Sequence, residues 1–191
     1  MGNNLHSNRN TQLIVKIPAT IISNKQLSLN EKLILGLHYT FDFKLGKTSL
    51  TNKQIGQLFH LHPNIVSYCH KNLLQKGFIT KMKSTYTVTY KHLQTEIIDK
   101  REIYIPYQVY NHPKLNTGSK LLWGEYNSIS KGHREYFAKR SYTSQRLNVS
   151  EESITNWTKQ LREYQVLKSY THKRGYGKSQ KMIVTCSFQN N

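Results

Sequence analysis

The fold is decided by residues 51–79, which read TNKQIGQLFHLHPNIVSYCHKNLLQKGFI. The stretch opens with a threonine followed three positions later by a glutamine, a spacing typical of a helix N-terminus. Apolar residues then recur at helical spacing on both sides of His60-Leu61-His62. Pro63 suits the first position of a second helix, where its missing amide hydrogen would have had no partner. The stretch therefore predicts two short helices joined by a tight turn.

An earlier helix and a later ribbon complete this unit. Ser28-Leu29-Asn30-Glu31 has the capping-box spacing and begins a predicted helix that extends to about Phe41. After Gly77, alternating residues over 78–90 predict a two-stranded ribbon that turns at Lys83-Ser84. The order of helix, helix, tight turn, helix and ribbon is that of a winged helix-turn-helix.

The helix that begins at Pro63 has an apolar face and a polar face. Its predicted inward residues are Val66, Cys69 and Leu73, and its predicted outward residues are Asn64, Ser67, Tyr68, Lys71 and Asn72. A helix about 10–12 Å wide matches a major groove about 12 Å wide, so we interpret it as a recognition helix. His62 is interpreted as its N-cap or as a donor to a phosphate.

The same pattern occurs again 88 positions later. Ile17-Pro18 corresponds to Ile105-Pro106, and the match continues without a gap until Phe78-Ile79 meets Val166-Leu167. A repeat of this length predicts two copies of one folding unit, each burying its own core.

The second copy is predicted to use the same three helices. Thr117 is predicted to cap a helix that extends to about Ile129, residues 137–147 are predicted to form the next helix, and Ser150 to start the third. The inward residues of the third helix are Ile154, Trp157 and Leu161. Its predicted DNA-facing residues, with the cap, are Ser150, Ser153, Thr155, Asn156, Lys159 and Arg162.

The ribbon of the second unit has a basic turn. Residues 173–178 read KRGYGK, with three cations and two glycines. A flexible basic loop can follow a phosphate backbone or reach into a minor groove. The predicted DNA-binding residues of this wing are Lys173, Arg174, Tyr176, Lys178 and Lys181.

Two differences distinguish the second copy from the first. Gln165 stands where Gly77 ends the first recognition helix, and Glu151-Glu152 begin the second one. Glutamates at a helix N-terminus are favoured by its partial positive charge. Glu152 could instead accept a hydrogen bond from a cytosine amino group. In either role they repel phosphate, so the second helix is expected to bind its site more selectively.

The chain is strongly basic in both halves. It has 28 Lys and Arg against 10 Asp and Glu, a formal charge of +18 and a pI near 9.9. Residues 1–100 hold 13 basic and 4 acidic residues, and residues 101–191 hold 15 and 6, so each half carries +9. An even excess indicates that both units face the same polyanion.

Several classes of protein are disfavoured by what the chain lacks. Cys69 and Cys186 lie far apart without ligand-spaced partners, so we expect neither a disulfide framework nor a metal site. Paired carboxylates, a glycine-rich nucleotide loop and a Ser-His-Asp arrangement are not evident, so we expect a binding protein without catalytic residues or cofactor. The sequence has no apolar signal region and no stretch of 18 apolar residues, which predicts a cytoplasmic protein without membrane association.

Two other functions stay open at this point. His60-Leu61-His62 spells the His-hydrophobe-His motif of rolling-circle nickases, with Tyr68 as a conceivable nucleophile. Such histidines must project together from a strand to hold a metal, whereas here they flank a predicted turn between helices. The 13 tyrosines also leave RNA or single-strand binding open, because aromatic rings can stack on unpaired bases.

Residues 17–79 and 105–167 resemble the helix-turn-helix domains of phage and plasmid replication and regulatory proteins. The resemblance is carried by Ile17-Pro18, residues 58–61 and Gly77-Phe78-Ile79, with their counterparts in the second copy. Tandem winged helices in a small basic chain also resemble plasmid replication initiators, whose two domains bind successive turns of a repeated origin sequence. The implied fold class is mostly α with small β-wings, in two tandem winged helix-turn-helix domains.

The expected domains are a disordered segment over 1–12, a winged helix over 13–92, a linker over 93–102 and a second winged helix over 103–191. The expected function is sequence-specific binding of double-stranded DNA by a replication initiator or regulator of a plasmid, phage or other mobile element. A transcriptional repressor and an excision or recombination accessory factor are the alternatives. Homodimerisation and association with replication or recombination proteins both stay open as further partnerships.

Overall fold

The computed structural model describes residues 13–45, 48–89, 99–175 and 178–188. These residues are mostly α-helical, with small antiparallel strand pairs. The first half contains β1 (Val15–Ile17), α1 (Ala19–Ile22), α2 (Leu29–Leu45), α3 (Asn52–Phe59), α4 (Pro63–Gln75), β2 (Ile79–Met82) and β3 (Thr85–Val88). The second half contains β4 (Ile103–Ile105), α5 (Tyr107–Tyr110), α6 (Thr117–Ser130), α7 (Arg140–Leu147), α8 (Glu151–Glu163), β5 (Leu167–Gly175) and β6 (Lys178–Thr185).

The 88-residue repeat is confirmed in the backbone. Helices α3 and α7 begin and end 88 positions apart, and so do α4 and α8. The residue after α3, His60, has φ 53°, and its counterpart after α7, Asn148, has φ 56°. Both turns therefore leave the preceding helix through the same left-handed conformation.

The predicted helix starts of the first unit are confirmed by hydrogen bonds. The Thr51 hydroxyl accepts a bond from the Gln54 amide, and the Gln54 side chain accepts one from the Thr51 amide. Ser28 and Glu31 exchange the same two bonds at the start of α2. Each pair satisfies amides that the first helical turn leaves without partners. Helix α2 itself extends beyond the predicted residue 41.

Two predicted helix starts in the second unit are wrong. The cap of α6 is Asn116, whose side chain accepts a bond from the Ser119 amide at 2.8 Å, whereas Thr117 is already helical. Helix α7 begins at Arg140 and not at residue 137. The reason is Tyr136, which is extended and exchanges two backbone hydrogen bonds with Ile183 of β6, at 2.8 and 3.0 Å.

The first ribbon turns where predicted, whereas Lys173, Arg174 and Lys178, predicted in the second turn, lie in the paired strands. In the first unit Lys83 turns the chain with φ 55°, and Met82 pairs with Thr85. The strand begins at Ile79, while the preceding Phe78 is buried. In the second unit the antiparallel pairing extends outward to Gly175 and Lys178. The second ribbon is therefore the longer one.

The two units join through an antiparallel strand pair. Val15 lies opposite Ile105, Lys16 opposite Tyr104 and Ile17 opposite Ile103. Under the 88-residue offset, exchanging the two units maps this register onto itself, which is the property of an approximate two-fold axis. The pair is covered by α2 and α6, each of which approaches it through a glycine, Gly36 and Gly124.

The expectation that each unit buries a separate core is wrong. One continuous cluster of buried apolar residues runs from the first unit through β1 and β4 into the second. Aromatic contact also crosses between units, since the rings of Phe59 and Tyr110 meet edge to face at 5.6 Å between centroids. The predicted segment 1–12, residue 90 and most of the predicted linker, through residue 98, lie outside the described residues.

Candidate nucleic-acid interface

Helix α4 begins at the predicted cap. His62 has extended backbone angles, and its Nδ1 accepts a hydrogen bond from the Asn64 amide at 3.2 Å. Pro63 is the first helical residue, as predicted. His60 and His62 thus terminate two helices, and neither lies on a strand.

The three predicted inward residues of α4 and four of its five predicted outward residues are confirmed. Val66, Cys69 and Leu73 are buried, and burial raises the pKa of the Cys69 thiol to about 11. The exposed residues of the predicted set are Asn64, Ser67, Tyr68 and Lys71, with Tyr68 at 65% exposure. Asn72 is half-buried. The outward face therefore presents amide, hydroxyl and amino groups that can reach base edges.

Ile65 is an outward residue that sequence reasoning missed. Its side chain is 40% exposed, beside Asn64 in the first turn of α4. A helical position directly before the buried Val66 lies off the inward stripe, which is the signal that could have identified it. An exposed aliphatic group on a helix of this kind can contact a thymine methyl group.

A buried histidine pair holds α4 from behind. His70 of α4 meets His38 of α2 with their Nε2 atoms 2.8 Å apart, and the Nδ1 of His70 bonds the Asn52 side chain at 2.8 Å. The ring of Tyr86 stacks on His70 at 4.2 Å. Burial lowers the pKa of His70 to about 4 and that of His38 to about 3. Both rings are therefore neutral at pH 7, and they link α4 to α2 and to the strand that carries Tyr86.

Helix α8 presents a different set of groups. Ser150 caps it as predicted, accepting a bond from the Ser153 amide at 3.1 Å. Of the predicted outward residues, Asn156, Lys159 and Arg162 are exposed. Glu151 and Glu152 lie in the first turn and are exposed as well. The face is therefore cationic toward its C-terminal end and anionic at its start.

Two predicted contact residues of α8 are less exposed than predicted. Ser153 and Thr155 are half-buried. Their hydroxyl groups already bond within the helix region, Ser153 with Ser150 at 2.9 Å and Thr155 with the Glu151 carbonyl at 3.0 Å. Short hydroxyl side chains often bond the local backbone in this way.

The inward stripe of α8 needs one correction. Ile154 and Leu161 are buried as predicted, but Trp157 is half-buried. Its indole lies over Gly118 of α6, so closely that a Cβ there would meet it at 2.1 Å. The third buried position belongs to Thr158, whose hydroxyl bonds the Tyr126 hydroxyl at 2.7 Å.

Tyr170 joins α8 to the second ribbon, a role that the sequence alone did not indicate. The Arg162 guanidinium lies 4.5 Å from the centroid of its ring, and Lys181 Nζ lies 5.6 Å from it. Both cations belong to the predicted contact set. Such cation–π contacts fix the position of long side chains that would otherwise be mobile. The side chains of Lys173, Arg174 and Lys178, and the whole of Tyr176, lie outside the described residues.

The first ribbon also carries exposed groups outside the predicted set. Lys81 and Lys83 are exposed, and Lys81 Nζ lies 5.5 Å from the Tyr86 ring centroid. Met82, between them, is 75% exposed. Lysines on both sides of a predicted turn are the same signal that identified the basic residues of the second ribbon.

Two further observations bear on alternative functions. In the described part of the chain, no group of three or more His, Cys, Asp or Glu residues is placed to hold a metal ion. Within the same residues, none of the helices combines the length and the apolar character needed to cross a membrane. Comparison with protein-family models and with curated proteins finds no match. Function is therefore inferred from the two helices, their surroundings and the charge of the chain.

Proposed function

We propose that this chain is a sequence-specific double-stranded DNA-binding protein made of two tandem winged helix-turn-helix units. Helices α4 and α8 are its recognition helices, and the two ribbons are its wings. It acts by binding and not as an enzyme. The proposal covers a replication initiator or a regulator of a plasmid, phage or other mobile element.

One observation carries the proposal. Two helices at equivalent positions, α4 and α8, each follow a tight left-handed turn and each keep a polar face exposed. They belong to a chain with a formal charge of +18, shared equally between the halves. A polar helix held on a basic unit has the shape and the charge to enter a major groove.

The approximate two-fold relation between the units predicts the form of the target. Units related by a two-fold axis read half-sites of opposite orientation, in the way that dimeric repressors read palindromes. The two faces differ, since the positions of the exposed Ile65 and Tyr68 in α4 are occupied by Ser153 and Asn156 in α8. We therefore expect one chain to bind two unlike half-sites in inverted orientation.

Selection of bound sites from a random duplex library tests this expectation. A bipartite site with halves about one helical turn apart, roughly 10 base pairs, is the expected result. Asn64→Ala should relax the preference in one half and Asn156→Ala in the other. A tandem array of such sites would favour an initiator, whereas an isolated site at a promoter would favour a repressor.

Salt dependence tests the electrostatic part of the proposal. If about six to ten phosphates are neutralised, affinity should fall by about 10³ to 10⁵ between 50 and 200 mM salt. An affinity that does not change with salt, or an equal affinity for a scrambled duplex at every salt concentration, would contradict sequence-specific duplex binding. A preference for single strands or RNA in competition would favour base stacking by the tyrosines instead.

A further inference from the structure

Two buried lysines cross the interface between the units in a reciprocal way. Lys32 of α2 and Lys120 of α6 occupy equivalent positions, and each is 1% exposed. Lys32 Nζ donates to the Leu147 carbonyl of the second unit at 2.7 Å, and Lys120 Nζ donates to the Phe59 carbonyl of the first unit at 2.7 Å. We refer to these two contacts as the lysine clasps.

The accepting carbonyls lie at a sensitive point of each unit. Phe59 and Leu147 are the last residues of α3 and α7, directly before the turns that lead to the recognition helices. The final carbonyls of a helix have no partner within it and carry partial negative charge. A lysine from the opposite unit therefore satisfies the end of α3 or α7 and holds the turn that follows it.

The end of α3 receives additional bonds from the second unit. Asn111 Nδ2 donates to the Gln57 carbonyl at 3.2 Å and to the Leu58 carbonyl at 2.9 Å. Together with the Lys120 contact, the last three carbonyls of α3 are bonded by side chains of the opposite unit. The turn before α4 is thus attached to the second unit through several hydrogen bonds and not through a single one.

Placing a cation at this interface is costly. Burial lowers the pKa of both lysines to about 8, which reflects the cost of removing a charge from water. An apolar residue would fill the same space without that cost. Both units nevertheless carry the lysine, and each lysine bonds the equivalent carbonyl of the other unit. This repeated contact indicates that the lysines serve to hold the turns.

We propose that Lys32 and Lys120 are positioning residues for DNA recognition, each orienting the recognition helix of the opposite unit. The inference rests on the proposed DNA-binding function, in which α4 and α8 read the two half-sites. Its distinctive consequence is a crossed effect. A change at Lys32 alters reading by α8, and a change at Lys120 alters reading by α4.

Hydrogen exchange on the free, full-length protein tests the clasps without DNA. In Lys32→Met, the amides of Asn148 and Val149 should exchange at least about tenfold faster than in the wild type, because the turn opens more often. In Lys120→Met, the affected amides should be those of His60 and Leu61. Lys25→Met and Lys114→Met remove exposed lysines and serve as matched controls, for which these amides should be unchanged.

Half-site discrimination tests the effect on reading. The selected bipartite duplex is compared with versions in which one half is scrambled. Scrambling the half bound by α8 should weaken binding by Lys32→Met by a factor at least about threefold smaller than for the wild type. Scrambling the other half should weaken binding by both proteins equally. Lys120→Met should show the opposite pattern. Lys32→Gln and Lys120→Gln keep a donor on a shorter side chain and replace the Met variants if those do not fold.

The outcomes separate the two proposals. Changes in exchange or in discrimination confined to the mutated unit, or equal in both units, overturn the crossed positioning role. If the wild-type protein selects no duplex while the exchange effect still crosses between units, the DNA-binding function fails, and the role in recognition fails with it. Crossed effects in both measurements support the inference.

Discussion

The two units place opposite chemistry at equivalent positions of the same fold. In the second unit Glu125 is fully buried and bonds Arg146 Nε at 2.6 Å and Arg101 Nη2 at 3.1 Å. The residues 88 positions earlier are all leucines, Leu37, Leu58 and Leu13, and they belong to the apolar core of the first unit or pack against it. One backbone thus accommodates either a buried ionic cluster or an apolar one.

The ionic cluster does something that leucines cannot do. Arg146 donates to the backbone carbonyls of Asp99 and Arg101, which lie just before β4. The pKa of Asp99 is held well below its usual range; burial opposes this, but hydrogen bonds from Arg101 and Tyr142 outweigh it. The cluster therefore attaches the end of the connection between the units to α6 and α7. Directional bonds provide this attachment, whereas apolar contact alone would not fix the backbone.

The largest effect is expected when the cluster loses one member. In Glu125→Leu, which introduces the residue of the first unit, Arg146 loses its fully buried carboxylate partner and keeps only the partly exposed Asp99 carboxylate. Removing one member of a buried ion pair costs about 3–5 kcal/mol, and we expect a loss of that order in the free energy of unfolding. Urea denaturation at pH 7 measures it.

A double substitution distinguishes charge from shape in this comparison. Glu125→Leu with Arg146→Leu copies the pair Leu37 and Leu58, and it should recover at least half of the loss, since a paired charge is replaced by apolar groups of similar volume. A double variant as unstable as the single one would show that the bonds to the backbone, and not the unpaired charge, dominate.

Acid should reveal a second difference between the units. At the positions of His38 and His70 the second unit carries Tyr126 and Thr158, which share a hydrogen bond at 2.7 Å. The histidine pKa values are about 3 and 4 in the folded protein and about 6.5 in the unfolded chain. The unfolded chain therefore binds more protons below pH 6.5, and the stability that the neutral pair provides is lost as the pH falls toward 3.

Copying the second unit should remove this acid sensitivity. Between pH 7 and pH 5 the wild type should lose on the order of 3 to 4 kcal/mol more unfolding free energy than His38→Tyr/His70→Thr, because both histidines contribute. Urea denaturation at both pH values gives the difference. His133→Gln, which removes an exposed histidine, serves as the control and should follow the wild type. Equal acid sensitivity of the double variant and the wild type would contradict the assignment.

The two glycines under the central strand pair should differ in their tolerance of a methyl group. A Cβ at Gly36 would lie 2.5 Å from Ile17 Cγ1, whereas at Gly124 the nearest atom, Ile105 Cγ1, is 3.0 Å away. Gly36→Ala should cost about 1–3 kcal/mol through overpacking. Gly124→Ala should cost less than about 1 kcal/mol, because the helix preference of alanine offsets part of the strain. Thermal unfolding of both variants checks the order, and equal values would contradict it.

The smallest effect concerns the residues that follow α4 and α8. Gly77 and Gln165 both adopt left-handed backbone, with φ 71° and 54°. Gln165→Gly should stabilise the protein by a few tenths to about 1 kcal/mol, and Gly77→Ala should destabilise it by about 1 kcal/mol, since only glycine adopts this conformation without steric cost. Denaturation midpoints of the two variants should shift in opposite directions. A shift in the same direction would mean that tertiary contacts outweigh the local backbone.

Some positions show why sequence reasoning failed locally. The start of α7 was misplaced because Tyr136 pairs with Ile183, a residue 47 positions away. Trp157 is predicted inward because it matches Cys69 in the repeat, yet the small Thr158 is the residue buried next to Tyr126. The clasps and the Tyr170 contacts were missed for the same reason, since a lysine or tyrosine on a helix or strand reveals its partner only when the chain is folded.

The sequence by itself determined the repeated order of elements, the caps at Ser28, Thr51, His62 and Ser150, and the outward face of α4. These features depend on residues within a few positions of each other, and local periodicity encodes them. Only the tertiary structure decided that the halves share one core and exchange lysines around an approximate two-fold axis. Lys32 and Leu147 are 115 positions apart, and no local pattern can specify a contact whose energy exists only after both units have folded against each other.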